Sequence, residues 1–260
     1  MNIIQAIVYG TVQGISEFLP ISSTAHLKLI PWLLGWTQPD VAFDVAIHLG
    51  TALAVILFFL KDWIRLLRAG FTEPKSSEGK LFWFIVLATI PGGIAGVLLD
   101  RYMGLFSNPA LIGVMLMGMG IVLYVTDKYG RKEYELGEIG LKKSLLIGLS
   151  QMLAIVPGVS RSGITMSVGR ALGLTRTAVA RFTFLMSAPI ILLDGLYHAK
   201  DILHENIDAT SFLVAVITAA IVGAISIKTI LEYIKKKGFA IFAVYRLILG
   251  AFVIIVYFAR

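Results

Sequence analysis

Six long apolar runs dominate the sequence, and they restrict the fold more than any other feature. Three lie in the first half and three in the second: Val45–Leu60, Leu81–Leu99, Ala110–Thr126, Phe182–Tyr197, Phe212–Ile227 and Phe239–Phe258. A helix needs about 20 mainly apolar residues to cross the hydrocarbon core of a bilayer. Helices are also the only open elements that satisfy their own backbone polar groups in lipid. The sequence therefore predicts an all-α polytopic membrane protein with six transmembrane helices.

The composition agrees with a membrane protein that has no disulfides. Hydrophobic residues make up 57% of the chain and charged residues only 15%, whereas a soluble domain carries about 25% charged residues. The chain has no cysteine, which excludes disulfides and thiolate metal sites. The first residues include neither a basic segment nor a small-residue cleavage motif, so we expect no cleaved signal peptide.

The basic residues are distributed in a way that argues against nucleic-acid binding. The net charge is +7, but most of the 23 lysines and arginines lie in three connecting segments, Lys61–Lys80, Lys128–Lys143 and Lys228–Lys237. Basic segments that alternate with poorly charged ones are typical of the cytoplasmic side of a membrane protein. We therefore expect these segments in the cytoplasm and the C-terminus outside. The expected partners are membrane lipids and no nucleic acid.

The two halves of the chain resemble each other. When the sequence is shifted against itself without a gap, LGWTQPDVA (Leu34–Ala42) falls on LGLTRTAVA (Leu172–Ala180). The same shift places Gly10, Gln13 and Ser22 on Gly148, Gln151 and Ser160. Self-similarity at a fixed spacing indicates an internal repeat. We predict a single membrane domain, residues 1–260, built from one repeat at 1–126 and a second at 139–260.

Each half begins with two apolar stretches that are too short or too interrupted to span the bilayer separately. They are Ile3–Leu19 with Leu27–Leu34, and Leu145–Val156 with Ile164–Leu172. Interrupted segments at matching places in two halves are typical of re-entrant hairpins that form a shared site. Because each half has three full spans, the second half must be inverted relative to the first. The two polar turns would then enter from opposite faces and meet near the midplane.

The first polar turn, within GTVQGISEFLPISSTAH, carries the first group of candidate site residues. These are Gln13, Glu17, Ser22, Ser23, Thr24 and His26. An ionisable group at membrane depth is costly and usually faces a cavity or a partner. Gln13 and Glu17 are four residues apart, so they share one face of a helix. The hydroxyl residues after Pro20 either bind a ligand or only cap the next helix, as serine and threonine commonly do.

The second polar turn, PGVSRSG (Pro157–Gly163), has the composition of an anion site. Its candidate binding residues are Ser160, Arg161, Ser162 and Gly163. A turn rich in glycine and serine that enters a helix offers free N–H donors to an anion. Arg161 adds a permanently charged fork that suits phosphate oxygens. The alternative is that Arg161 forms a buried ion pair with Glu17, and the two roles can coexist if a phosphate displaces the carboxylate.

Together the two turns contain the side chains that phosphoryl transfer requires. They supply a hydroxyl of the nucleophile type, a histidine and a carboxylate of the base type, and an arginine clamp. Catalysis of phosphoryl transfer consists mostly of positioning and charge stabilisation, which such a set provides. Because the site would lie in the bilayer, the phosphate must be carried by a lipid.

These motifs resemble the undecaprenyl-diphosphate phosphatase family of bacteria, the bacitracin-resistance type. The matching segments are QGISEFLPISSTAH (Gln13–His26), FDVAIHLGTALAV (Phe43–Val55) and PGVSRSG (Pro157–Gly163). The resemblance implies hydrolysis of undecaprenyl diphosphate to the monophosphate and phosphate, which recycles the lipid carrier of cell-wall synthesis. It also implies a location in the bacterial inner membrane, an active site open to the outer face, and a requirement for a divalent cation, Mg²⁺ or Ca²⁺.

The resemblance assigns roles to four residues. The family's serine, histidine and carboxylate of the first motif fall on Ser23, His26 and Glu17, and the arginine of its second motif falls on Arg161. Some members have a second glutamate where this chain has Gln13, so a metal site with two carboxylates is in doubt here. Glu17 is then the one candidate metal ligand.

Two questions stay open at the level of the sequence. Ser23 is the predicted nucleophile with His26 as its base, but direct attack by His26 or by water is the alternative. The competing function is a transporter of a polyprenyl phosphate or another anionic lipid, because inverted repeats with broken helices also occur in transporters. A carrier needs the arginine but no nucleophile. The oligomeric state is also open, and a homodimer is one arrangement the protein can adopt.

Other polar residues have weaker predicted roles. Asp44 and His48 lie four apart at the start of the first span and are expected near the cavity mouth or at the membrane interface. Arg246 lies inside the last span and needs a partner there, which is either the diphosphate or another group. Three arginines near the second hairpin are expected to anchor it at the cytoplasmic headgroups: Arg170, Arg176 and Arg181.

Overall fold

The computed structural model describes residues 2–199 and 208–260, and helices dominate both ranges. The α-helices of the first half are α1 (Ile3–Ser16), α2 (Ser23–Leu34), α3 (Val41–Phe58), α4 (Leu60–Thr72), α5 (Ser77–Leu99) and α6 (Pro109–Tyr129). Those of the second half are α7 (Leu141–Ser150), α8 (Arg161–Ala171), α9 (Arg176–Tyr197), α10 (Ala209–Lys237) and α11 (Ala240–Ala259). Short 3₁₀ helices occupy Asp100–Phe106, Leu136–Glu138 and Gln151–Ile155.

Six of the described helices are long and apolar enough to cross a membrane: α3, α5, α6, α9, α10 and α11. Each contains most of one predicted apolar run, so the predicted all-α class with six candidate spans is confirmed. The largest apolar cluster lies between α3, α5, α8, α9 and α10. It reaches the first polar turn at Phe18, whose ring meets the edge of Phe184 at a centroid distance of 5.5 Å.

The first basic segment contains a helix that the sequence analysis did not predict. Helix α4 follows α3 directly and packs against α5, where the indole N–H of Trp83 donates to the Gly70 carbonyl oxygen at 3.0 Å. Arg65 bridges to Glu78 of α5 at 2.9 Å. The helix is strongly amphipathic, with charged residues among exposed apolar ones. Because charged residues interrupt its apolar ones, this helix contains no long apolar run that would have predicted it.

The short helices at the start of each half pack in corresponding ways. Helix α1 lies along α10, and α7 lies along α5. At Gly10 an added Cβ would lie 2.9 Å from the Ala215 carbonyl oxygen, so only glycine permits this approach. Gly148, which the sequence comparison pairs with Gly10, meets the backbone of Ala88 even more closely. Small residues allow such close helix crossings in membrane proteins.

The turns between α1 and α2 and before α8 share an unusual backbone conformation. Ser22 (φ 76°) and Ser160 (φ 73°) are the two non-glycine residues with positive φ in residues 2–199 and 208–260. Such a conformation costs about 1–3 kcal/mol and persists only where the surroundings enforce it. Each serine hydroxyl caps the following helix, accepting from the backbone N–H of Ala25 at 3.4 Å and of Gly163 at 3.1 Å. The two residues with positive φ are therefore the N-cap residues of α2 and α8.

The two turns are also in direct contact. The backbone N–H of Gly158 donates to the Ser22 hydroxyl at 3.2 Å, and the Ser162 hydroxyl donates to the Leu19 carbonyl oxygen at 3.1 Å. These bonds join segments that lie more than a hundred residues apart in sequence. The polar turns of the two halves therefore form one structural unit inside the bundle.

Arg246 of α11 braces this unit from behind. Its side chain is 0% exposed and donates to four carbonyl oxygens: Leu116 at 3.2 Å, Pro20 at 3.0 Å, Gly158 at 2.6 Å and Val159 at 3.0 Å. Its partners are thus backbone groups, three of them in the two turns. The structure places this guanidinium behind the turns and uses it to hold them.

A buried ion cluster lies where α6 ends and α9 and α11 begin. Arg170 is 0% exposed, and its Nε donates to Asp127 Oδ1 at 3.1 Å. Arg176 Nε donates to the same oxygen at 2.7 Å, and the Phe239 backbone N–H donates to Oδ2 at 3.0 Å. The prediction that Arg170 reaches the lipid headgroups is wrong, because Asp127 and nearby carbonyl oxygens hold it inside the protein. Arg181 pairs with Asp62 at 3.0 Å.

Candidate active site

A cavity of about 470 Å³ lies between the two polar turns and helices α3, α5 and α9. Its polar end is formed by Glu17, Ser23, Thr24, Ser160, Arg161 and Ser162. Its apolar wall includes Val45, Val97, Ile190 and Ile191. Lys28, Asp40, Asp100 and His198 line the part near the loops. The cavity therefore combines a charged, hydroxyl-rich floor with an apolar side.

Glu17 is the centre of the polar end. It follows the end of α1, and its side chain is only 4% exposed. Oε2 accepts from the Ser23 hydroxyl at 2.7 Å and from Gln13 Nε2 at 3.1 Å, while Oε1 accepts from Arg161 Nη2. A buried carboxylate is tolerated when its lone pairs are satisfied in this way. The predicted Glu17–Arg161 pair and the shared face of Gln13 and Glu17 are both present.

Arg161 is the first residue of α8 and stands at its N-terminus. Its side chain is 21% exposed, and Glu17 is the one acidic partner that the described chain gives it. The guanidinium has five N–H donors. Since one of them is used by Glu17, the others are available to a ligand in the cavity, beside the free N–H groups of a helix start.

The predicted binding residues divide into two groups. Ser23, Thr24, Ser160 and Ser162 line the cavity. The other three, which are Gln13, Ser22 and Gly163, are buried behind them and do not belong to the lining residues of the described chain. The hydroxyls of Ser22 and Thr24 lie 3.2 Å apart and connect the two groups, whereas the pair of Ser160 and Ser162, also at 3.2 Å, lies within the lining group. The buried group supports the lining group.

His26 faces away from the cavity. Its Nδ1 lies 2.7 Å from the Ser22 carbonyl oxygen, and its Nε2 lies 2.6 Å from the Tyr245 hydroxyl. Because a carbonyl oxygen can only accept, Nδ1 carries the proton and Nε2 accepts from the tyrosine. The structure therefore does not bring His26 to the Ser23 hydroxyl, which donates to Glu17 instead. Tyr245 is distant in sequence, so no local pattern pointed to it.

His48 of α3 lines the same cavity as Glu17 and Ser23. Its Nδ1 lies 2.8 Å from the Asp44 carbonyl oxygen, so this nitrogen also carries the proton. The sequence predicted His48 at the cavity mouth or at the membrane interface. The structure places it in the lining of the cavity, where its side chain is mostly buried.

The residues of the site do not form a complete metal site. No group of three or more histidine, aspartate or glutamate side chains in the described residues is placed to hold a metal ion. Both oxygens of Glu17 are occupied by protein donors. The unpaired amide oxygen of Gln13 would be a single neutral ligand. Mg²⁺ and Ca²⁺ take six or more oxygen ligands, so at this site most of them would have to come from water and from substrate phosphate.

Comparison with known proteins identifies the family. The family described as bacitracin resistance protein BacA matches residues 6–252. The chain belongs to this family. The undecaprenyl-diphosphatase of Pelotomaculum thermopropionicum is 48% identical over 261 residues, covering 100% of this chain and 98% of the relative. That of Moorella thermoacetica is 46% identical, covering 100% of both chains.

The BacA match confirms the family that the motifs predicted. A third relative, the undecaprenyl-diphosphatase of Caldicellulosiruptor bescii, is 45% identical and covers 100% of this chain and 99% of its own length. The similarity therefore extends over all helices and both polar turns, and it is not confined to the motifs.

Proposed function

We propose that this chain is an integral membrane undecaprenyl-diphosphatase. It hydrolyses undecaprenyl diphosphate to undecaprenyl phosphate and inorganic phosphate, and it thereby recycles the lipid carrier of cell-wall synthesis. The observation that carries the proposal is the hydrogen-bonded set of Glu17, Ser23 and Arg161 on the floor of a cavity inside a bundle of membrane-crossing helices. The names of its full-length relatives support the same activity.

Substrate binding would begin with an exchange of partners at Arg161. The terminal phosphate of the substrate takes the place of the Glu17 carboxylate on the guanidinium, which forms stronger paired bonds to phosphate oxygens. The Ser160 hydroxyl and the backbone N–H groups at the N-terminus of α8 add donors around the same anion. Glu17 is then free to act on its other partner, Ser23.

Ser23 is the proposed nucleophile, and Glu17 its base. The Ser23 hydroxyl already donates to Glu17 at 2.7 Å, so proton removal needs no rearrangement. A serine hydroxyl is a weak nucleophile unless an adjacent base activates it. The oxygen attacks the terminal phosphorus, undecaprenyl phosphate leaves, and a phosphoserine forms. His26 supports the turn through the Ser22 carbonyl oxygen.

The polyprenyl chain would lie against the apolar side of the cavity. Gly92, Gly93 and Gly96 of α5 line this side, and a Cβ at Gly96 would meet no atom within 4 Å. Open space of this kind next to Val97 and Ile190 suits a chain of isoprene units, which gains free energy from leaving water. The substrate therefore presents its phosphates to the polar floor and its hydrocarbon to the helices.

The proposed location is the bacterial inner membrane, with the cavity open to the outer face. The mouth lies at the start of α3 and the ends of α5 and α9. The basic segments follow α3, α6 and α10 at the opposite end of the bundle, where the positive-inside rule places the cytoplasm.

The two polar turns are proposed to belong to re-entrant hairpins of an inverted repeat, residues 1–126 and 139–260. The matching backbone of Ser22 and Ser160 supports this proposal, as does the matching close approach at Gly10 and Gly148. A divalent cation, Mg²⁺ or Ca²⁺, is proposed as an activator. Since the protein residues do not complete a site for it, we expect weak cation binding without substrate.

Phosphate release tests the function directly. Purified protein in detergent is given undecaprenyl diphosphate, with and without a chelator, and inorganic phosphate is measured. We expect release that stops with chelator and returns with Mg²⁺ or Ca²⁺. The same protein in lipid vesicles distinguishes a phosphatase from the alternative, a transporter. A transporter would move labelled lipid between leaflets without releasing phosphate. Such movement without hydrolysis would overturn the proposal.

A further inference from the structure

We propose that His48 is a second catalytic base, which takes a proton from the water that releases phosphate from Ser23. This inference rests on the proposed hydrolysis and on a phosphoserine at Ser23. It assigns to α3 a chemical role that neither polar turn provides.

The imidazole of His48 is oriented for this task. Its Nδ1 is fixed by the Asp44 carbonyl oxygen at 2.8 Å, one helical turn earlier. A proton on Nδ1 leaves a lone pair on Nε2, and Nε2 has no hydrogen-bond partner in the part of the chain that the structure describes. The side chain is 15% exposed and belongs to the cavity lining. A side chain of the cavity lining therefore offers an acceptor nitrogen that no protein donor occupies.

The other described histidines do not have this arrangement. Both ring nitrogens of His26 are occupied, and its ring stacks on Tyr245 outside the cavity. His198 lines the cavity near the loops, where Nε2 lies 3.9 Å from Asp100 and Nδ1 lies 3.6 Å from Asp194. His48 is the described histidine that lines the same cavity as Glu17 and also has a ring nitrogen without a hydrogen-bond partner.

Charged groups from several helices surround the ring. Asp44 on the same helix lies 3.8 Å from Nδ1, and Glu17 and Asp194 also interact electrostatically with the imidazole. Arg161 of α8 and Lys28 of α2 line the same cavity with positive charge. The positive charge that His48 acquires with a proton is therefore compensated by Asp44 and Asp194, and also by Glu17 once it has returned its proton to Ser23.

Release of phosphate from Ser23 uses both Glu17 and His48. In the first half-reaction Glu17 keeps the proton of Ser23. In the second, the water oxygen bonds to phosphorus while one of its protons moves to His48 Nε2. The bond between phosphorus and Ser23 Oγ breaks, and Oγ recovers its proton from Glu17. His48 then releases its proton to water in the cavity, and phosphate leaves.

A labelling experiment tests this role. Full-length protein in detergent is mixed with undecaprenyl diphosphate labelled in its terminal phosphate, and the reaction is quenched at intervals. For His48→Gln, which keeps a polar side chain but cannot take the proton, we expect a fall in kcat of about 100-fold or more, the range of general base catalysis. We also expect label to accumulate on Ser23, and we expect KM to fall together with kcat, because the slowed step follows formation of the phosphoserine. The matched control, His198→Gln, is expected to leave the lifetime of the label unchanged.

Three outcomes would overturn the inference. They are normal kcat in His48→Gln, a lower kcat without accumulated label, and label that accumulates equally in His198→Gln. If His48→Gln does not elute as folded protein, His48→Asn replaces it, since its amide can still donate to the Asp44 carbonyl oxygen. If the unaltered protein releases no phosphate, the proposed function is overturned together with this step. If the unaltered protein and both His48 variants release phosphate equally, only the role of His48 is overturned.

Discussion

At the scale of single residues, the site is organised around one buried carboxylate with donors from three parts of the chain. Glu17 receives bonds from Gln13 of α1, Ser23 of α2 and Arg161 of α8. Removing one member of a buried ion pair typically costs about 3–5 kcal/mol, because the remaining charge is left without compensation. Substitutions at this point must therefore be judged for folding as well as for activity.

The first prediction at this scale concerns the planar shape of the Arg161 guanidinium. Arg161→Lys keeps the charge, and with it the pairing to Glu17, but loses the planar fork that holds phosphate through two bonds. We expect kcat/KM for phosphate release to fall by about 100-fold, with the unfolding midpoint in detergent nearly unchanged. The control is Arg131→Lys, since that side chain is 80% exposed. Near-normal kcat/KM in Arg161→Lys would mean that Arg161 serves only as the counter-ion of Glu17.

The second residue prediction concerns the nucleophile. Ser23→Ala removes the attacking oxygen, so phosphate release and covalent labelling should both disappear. Ser22→Ala is the matched neighbour, and it should only reduce the rate, because Ser22 caps α2 and binds Gly158 without facing the cavity. Label found on His26, stable in base and lost in acid, would contradict the assignment. Turnover without any covalent label would indicate direct attack by water.

At the scale of helices and turns, the two strained serines and the arginine behind them act together. Ser22 and Ser160 hold positive φ while their hydroxyls cap the helices that carry Ser23 and Arg161. Arg246 satisfies carbonyl oxygens of both turns. The catalytic side chains are thus placed by helix starts whose geometry a distant helix maintains.

A substitution of Arg246 should therefore lower both the stability and the activity of the protein. Arg246→Met keeps the apolar stem but leaves four carbonyl oxygens without their donor, and each buried unpaired group costs about 1–3 kcal/mol. We expect a clear fall in the thermal unfolding midpoint in detergent and a loss of phosphate release. Ile248→Met on the same helix, at a side chain that is 66% exposed, is the control. An unchanged unfolding midpoint in Arg246→Met would show that the two turns keep their conformation without Arg246.

Local sequence patterns predicted some of these elements and missed others for physical reasons. The apolar runs located all six long helices because a span needs a fixed length of apolar residues. Gln13 and Glu17 were expected on one face because helical periodicity relates residues four apart. The contacts of His26 with Tyr245 and of Arg246 with both turns join distant segments, and no local pattern encodes them. Helix α10 extends beyond its predicted run because Lys228 and Glu232 interrupt the apolar pattern well before the helix ends.

At the scale of the whole molecule, the arrangement of charge predicts the orientation in the membrane. A reporter fused at Arg260 should be accessible from outside, and one inserted in Lys128–Lys143 should be accessible from the cytoplasm, because the basic segments stay inside. Accessibility to a membrane-impermeant label in intact cells measures both. If both ends of the span Pro109–Tyr129 were found on one side, the proposed inverted repeat would be wrong.

The position of Arg246 in the chain also sets the order in which the protein can become active. Helix α11 follows every other described helix, so during synthesis both polar turns enter the membrane before their brace exists. Until that helix is inserted, the carbonyl oxygens of Pro20, Gly158 and Val159 lack their arginine donor, and the relation of Ser23 to Arg161 depends on the weaker contacts between the two turns. A nascent chain would therefore be inert toward the lipids around it, and activity would begin only when translation of the last span is complete.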